Sequence, residues 1–412
     1  MKILFVSLGC DKNLVDTEYM LGILGNEGYA FTDDEQEADI IVINTCCFIN
    51  DAKEESINTI FEMARYKEEG NCKALVLAGC LAQRYREEIQ KEIPQVDAII
   101  GTTAIDEIVA ALEEILAGQK QNHYEDINAA PVTETNRVVT TGGHFAYLKI
   151  AEGCDKHCTY CIIPKVRGNY RSVPKESLLK EATELADKGV RELILVAQET
   201  TLYGMDLYGK KELPRLLHEL AQIPGIYWIR ILYCYPEEIT DELIDAIAAE
   251  PKVCNYLDIP IQHASDNVLK RMGRRTDQAE LRAIIGKLRE KIPDICLRTT
   301  LISGFPGETQ EDFEELYRFV NEMEFDRLGV FPYSQEEDTP AATMEDQVPQ
   351  EVKEFRRDEL MELQQAIAFD KAIPDISKIT LEIGGFFGGY ETRTIQLHGN
   401  QLHLQVEHTI MR

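Results

Sequence analysis

Short apolar runs recur along nearly the whole chain, each followed by a polar stretch with apolar residues at helical spacing, and this alternation leaves few folds open. It argues for an α/β protein built from βαβ units around parallel sheets. Within residues 1–116 three of the runs, Met1–Cys10, Asp39–Cys46 and Ala74–Cys80, each end at a cysteine. Residues 51–70, 84–92 and 104–117 carry the helical pattern with charged outer faces. In a parallel sheet the carboxyl ends of neighbouring strands line one edge, where open α/β folds place their ligands. Cys10, Cys46 and Cys80 are therefore expected on one rim. A single strand cysteine behaves as a small hydrophobe, whereas three at equivalent strand ends point to a cluster. Cys47 and Cys72 lack that position and read as structural, and Asn13, Asp16 and Asn44 are placed in rim loops, to cap helices or touch a ligand.

A second set of three thiols, Cys154, Cys158 and Cys161, stands in a C-x3-C-x2-C array behind an apolar run. An iron–sulfur cube normally takes four cysteines, so three leave one iron open to a further ligand. Two other readings compete. Zinc would draw on His157 as a fourth donor, although no second knuckle follows. A disulfide framework sits poorly with a long chain that has no export signal and an odd number of cysteines, 11. Cys234, Cys254 and Cys296 have no partner at ligand spacing and read as core.

Residues 117–143, rich in Gly, Thr, Asn and Gln, read as a linker. The expected division is 1–117, linker 118–143, a second domain at 144–370 and a tail at 371–412. In the second domain six strands are expected, at Tyr147–Ile150, Glu192–Ala197, Trp228–Tyr233, Tyr256–Ile261, Cys296–Ile302 and Arg327–Phe331, each ending in polar residues. This fits a partial (β/α)6 barrel of the TIM type, which keeps its site at the carboxyl ends of the strands. Gly304 and Gly307 bracket a tight turn, for close backbone approach to a ligand or simply to end a strand; His263 reads as structural. A last helix covers Glu351–Phe369, and the tail is β-prone. The five-residue spacing of His398, His403 and His408 there is not expected to gather a metal site.

The cysteine array, with Tyr160 before its last member and IIPKVRG and GNYRS after it, resembles the signature of the radical S-adenosylmethionine (SAM) superfamily. That resemblance implies a 4Fe-4S cluster on Cys154, Cys158 and Cys161 whose free iron chelates SAM and reduces it to a 5′-deoxyadenosyl radical. SAM would lie across the top of the barrel, with Tyr160, Gln198, Gln262 and Gly304 as candidate contacts. Paired with a second three-cysteine set at Cys10, Cys46 and Cys80, the chain resembles the methylthiotransferase family, in which a second 4Fe-4S cluster supplies or carries sulfur and C–H becomes C–SCH3. No enzyme base is then required, in keeping with the absence of an obvious acid–base pair.

The opening SLGCDKNLVDTE and the closing MELQQAIAFDK resemble the RimO-type branch, which modifies the β-carbon of an aspartate in a small-subunit ribosomal protein. The branch that modifies tRNA, the MiaB type, and a non-catalytic iron–sulfur or redox-sensing protein are the alternatives. Charge bears on the choice: 43 Lys and Arg against 72 Asp and Glu leave −29, which repels nucleic acid and suits a basic protein. The resemblance covers residues 1 to about 370, and the tail is shorter than the family's small β-barrel. No run is long enough to span a bilayer, so a soluble chain is expected, and reduced cysteines without an export signal point to the cytoplasm. The family resemblance implies an external electron donor such as flavodoxin or ferredoxin.

Overall fold

The computed structural model describes residues 1–133, 136–372, 379–384, 390–398 and 401–409. The first apolar runs form β1 (Lys2–Ser7), β2 (Ala30–Phe31), β3 (Ile40–Thr45), β4 (Ala74–Ala78) and β5 (Ala98–Ile100), paired in the order β2-β1-β3-β4-β5. All four pairings are parallel. Every residue of β3 and β4 is buried, as unbroken apolar strands must be when helices cover both faces. Ser7 lies opposite Asn44, and Asn44 opposite Ala78, so β1, β3 and β4 end in one row.

The helix Asp11–Asn26 corrects the sequence reading, which left Asn13 and Asp16 in a rim loop; both lie in its first turns. It is buried nearly all round, polar residues included, which erases the one-sided pattern by which a surface helix is recognised. Cys80 likewise falls inside a short helix, Gly79–Arg84, rather than on the strand.

In the second half, β6 (Phe145–Lys149) leads to a two-stranded antiparallel clip, β7 (Ala151–Glu152) with β8 (Arg171–Ser172), that brackets the cysteine loop. Next come β9 (Glu192–Val196), β10 (Trp228–Ile231), β11 (Val253–Asp258), β12 (Cys296–Ser303) and β13 (Arg327–Pro332). The sheet runs β13-β12-β11-β10-β9-β6, all parallel and in chain order, with β6 and β13 as free edges. Strict chain order with crossover helices is the topology of an open, six-stranded barrel segment. Two of its helices begin with reciprocal capping boxes, Asp277 with Glu280 and Thr309 with Asp312. The last helix runs Gln350–Ala372.

The intervening segment is not a slack tether. Arg137 is buried, with Nε 2.9 Å from Glu18 Oε2 and NH1 2.6 Å from Glu181 Oε1, and it donates to the Tyr147 carbonyl at 2.6 Å. Thr140 adds hydrogen bonds from its amide and hydroxyl to Glu18 Oε1 at 2.6 and 2.8 Å. These residues strap the helix Asp11–Asn26 to the second sheet.

In the tail, β14 (Ile379–Gly384), β15 (Tyr390–His398) and β16 (Gln401–Thr409) form an antiparallel sheet in that order. His398, His403 and His408 stand opposite Gln401, Gln396 and Glu391, so no two of them are paired across the ladder. Among the described residues, no helix is long and apolar enough to cross a membrane.

Candidate active site

At the rim of the first sheet, glycines bring the strand ends together. Gly9 (φ +87°) and Gly79 (φ +89°) hold left-handed backbone immediately before Cys10 and Cys80, and Gly153 (φ +80°) does the same before Cys154. A Cβ on Gly9 would stand 2.9 Å from Cys46 Sγ, and one on Gly79 would meet Asn44 Oδ1 and lie 2.5 Å from the Thr45 carbonyl. Only glycine meets both demands.

The Cys46 amide donates to Ser56 Oγ at 3.0 Å, and the same hydroxyl donates to the Cys46 carbonyl at 2.9 Å. Asn13 Nδ2 donates to the Leu8 and Thr45 carbonyls at 3.0 Å each, and Asn44 Nδ2 to the Asn13 carbonyl at 2.7 Å. Neither asparagine caps a helix; both tie the ends of β1 and β3 to the helix Asp11–Asn26, and the Thr45 hydroxyl, donating to the Ala78 carbonyl at 2.6 Å, adds the end of β4. Burial pushes the Cys46 thiol up, with Cys10 adding to it. Burial also raises Cys80, against the pull of Arg167, and Cys47, Cys10 and Cys46 raise it further. The thiols are thus within electrostatic reach of one another.

Across from this rim, the Cys154 amide donates to the Gly168 carbonyl at 3.1 Å, closing the base of the second cysteine loop. Cys154 and Cys158 are buried and Cys161 is half-buried. Burial pushes Cys154 up to about 12 and raises Cys161, and in each case neighbouring thiols add to the shift. Cys158 Sγ lies 3.5 Å from the Tyr235 hydroxyl and 4.0 Å from Arg274, whose guanidinium stacks 4.2 Å over the Tyr235 ring. His157 is exposed, and among the described residues no three His, Cys, Asp or Glu side chains are gathered as a single-ion site.

The remaining candidates divide. Tyr160 packs edge-on against Phe305 at 6.4 Å, and burial lifts its phenol well above the usual range. Gln198 Nε2 donates to Glu152 at 2.7 Å, leaving its Oε1 buried without a protein partner. Gln262 holds φ +71°, unusual for a residue with a side chain, while its amide and carbonyl are pinned by Thr300 and Ile302 at 2.9 and 2.8 Å. Strain of this kind gathers at binding sites. Gly304 answers to packing: a Cβ there would collide with Lys353, whose carbonyl accepts from Ser303 Oγ at 2.9 Å. Gly307 makes similar room for Arg271, with a Cβ 2.6 Å from its Nε.

Glu199, just past β9, was passed over in the sequence as part of a polar strand end. It is 0% exposed; Oε1 accepts from the Thr201 amide at 2.8 Å, and Oε2 has no protein partner. Burial pushes it up to about 7, with Glu237 adding, against the lowering effect of Thr201 and Lys156. The signal was there to read, because a carboxylate directly behind the buried run Leu195–Ala197 is costly unless something pairs with it.

The description "Uncharacterized protein family UPF0004" matches residues 2–101, and "Radical SAM superfamily" matches residues 148–320. Among solved structures, the radical S-adenosylmethionine methyltransferase TsrM from Kitasatospora setae shares the fold, with a TM-score of 0.59 at 13% identity over 82% of this chain and 76% of that one. Fold and family models together define a radical SAM enzyme. Curated relatives called "Ribosomal protein uS12 methylthiotransferase RimO" are 64% identical in Lachnoclostridium phytofermentans (90% of this chain, 84% of the relative) and 50% identical in Clostridium tetani (93% and 86%). The chain belongs to this RimO family of radical SAM methylthiotransferases.

Proposed function

We propose that this chain methylthiolates ribosomal protein uS12, at the β-carbon of an aspartate, using two 4Fe-4S clusters and SAM. The observation that carries the reading is the buried network in which Arg167, six residues past Cys161, reaches Cys80 and Asp16 of the first rim and Glu152 of the clip that leads into the second cysteine loop. Cys154, Cys158 and Cys161 hold the cluster that binds SAM, and Cys10, Cys46 and Cys80 hold the auxiliary cluster. The donor chemistry fits, since three thiolates apiece leave one iron of each cube open. The unpartnered buried oxygens of Glu199 and Gln198 fit SAM as well, offering a carboxylate and a carbonyl to its ammonium.

Bound there, SAM and the clusters supply the hydrogen-abstracting radical, the methyl group and the sulfur. The chain's own part is to hold and shield. Tyr235 and Arg274 lie against Cys158 and Tyr160 packs on Phe305, so these side chains would shield a cluster held by the loop, and the strained Gln262 stands just past β11. Electrons come from a low-potential protein such as flavodoxin or ferredoxin, and the enzyme works in the cytoplasm. Nucleic acid is not its partner; a net charge of −29 favours a basic protein.

The test is mass spectrometry after anaerobic reconstitution with iron and sulfide and incubation with SAM, reductant and either uS12 or tRNA. A methylthio adduct on an aspartate of uS12 is expected. An adduct on tRNA alone overturns the substrate assignment, and uncleaved SAM in a cluster-loaded chain overturns the activity.

A further inference from the structure

Arg167 is 1% exposed and ends the short helix Ile163–Arg167 just after the second cysteine loop, yet its side chain reaches into the first domain. NH1 donates to Asp16 Oδ2 at 2.7 Å and Glu152 Oε2 at 3.2 Å, and NH2 donates to Asn13 Oδ1. Lys149 completes the network, donating to Glu152 at 2.9 Å and to Asp16. With the guanidinium plane fixed at two corners, the third donor has one direction left. Nε points at Cys80 Sγ, 3.2 Å away.

A purely structural ion pair accounts for the carboxylates but not for this last contact. Lys149 and Arg167 already balance Asp16 and Glu152 charge for charge. No carboxylate is left for Nε, which donates to the Cys80 sulfur instead, the atom that would carry negative charge as a cluster ligand. Hydrogen bonds to ligand sulfurs favour the more negative, reduced state of an iron–sulfur cluster and raise its potential.

We infer that Arg167 is a positioning residue of the auxiliary cluster, holding the Cys80 thiolate and raising the cluster's reduction potential from the SAM-binding domain. The inference rests on Cys10, Cys46 and Cys80 being the auxiliary ligands.

The full-length C154A/C158A/C161A chain, reconstituted anaerobically with iron and sulfide, isolates that cluster. Its potential, read by an EPR-monitored redox titration, should fall in R167M and stay closer to the parent in R167K, which keeps the charge but not the fork. If the parent triple variant binds no iron, the ligand assignment fails and this inference with it. If it binds a cluster and all three potentials coincide, the role of Arg167 alone is overturned. Should R167M fail to fold, pulsed EPR on the parent grown with [15N]arginine decides: a nitrogen coupling to the reduced cluster that disappears in R167K supports the assignment, and identical spectra overturn it.

Discussion

A buried carboxylate with one free oxygen makes Glu199 the most pH-sensitive position of the site. Its ionisation lies near 4.5 when exposed and about 7 in the folded chain, so the fold favours the protonated form. This contribution to stability is present below about 4.5 and is lost as pH rises to about 7, a difference of about 3 kcal/mol. Urea unfolding midpoints should therefore fall over that window in the native chain and stay flat in E199Q. Binding of a cationic ligand runs the other way, because it needs the ionised form. SAM affinity, followed by calorimetry on the cluster-loaded enzyme, should strengthen as pH rises through about 7. In E199Q it should be roughly tenfold weaker and pH-independent; an unchanged affinity would remove Glu199 from the SAM site.

Among the elements, the turns before the cysteines matter more than the strands themselves. G79A forces an alanine into left-handed backbone against Asn44 and Thr45, at a cost of about 1–3 kcal/mol. The iron content of the reconstituted C154A/C158A/C161A chain should drop with it. Gly286 is the opposite case: it sits inside the helix Gln278–Lys291 with open space where a Cβ would be. G286A should raise stability by about 0.5–1 kcal/mol, visible as a higher denaturation midpoint.

β3 and β4 were legible in the sequence because strands buried throughout leave unbroken apolar runs. β1 and the six strands of the second sheet were legible as shorter apolar runs ending in polar residues, the run Tyr256–Ile261 standing three residues past the observed Val253–Asp258. Less legible was everything that depends on two domains meeting. The helix Asp11–Asn26 hides polar side chains in an interface, and Arg167 lies far along the chain from the Cys80 it touches. Sequence spacing also cannot reveal that Lys353 of the last helix fills the space beside Gly304.

For the molecule as a whole, the strap and the charge are the main levers. Replacing Arg137 strands Glu18 and Glu181, both largely buried, without their cation. R137M should therefore lower stability by about 3–5 kcal/mol and loosen the two halves together, seen as one broadened or split urea transition. A surface of net charge −29 should draw basic uS12 by long-range attraction, so its association rate should fall about tenfold between low and high salt in stopped-flow measurements.

The two thiol triads also differ in what must exist before they can form. Cys154, Cys158 and Cys161 lie in one short loop, so that set is complete as soon as the loop has been synthesised. Cys10, Cys46 and Cys80 come together only once β1, β3 and β4 have paired, and the arginine beside Cys80 arrives only when the later domain has docked. On the proposed ligand assignment, a cluster at Cys10, Cys46 and Cys80 then requires a chain whose sheet has paired and whose later half has docked, whereas one in the Cys154, Cys158 and Cys161 loop does not.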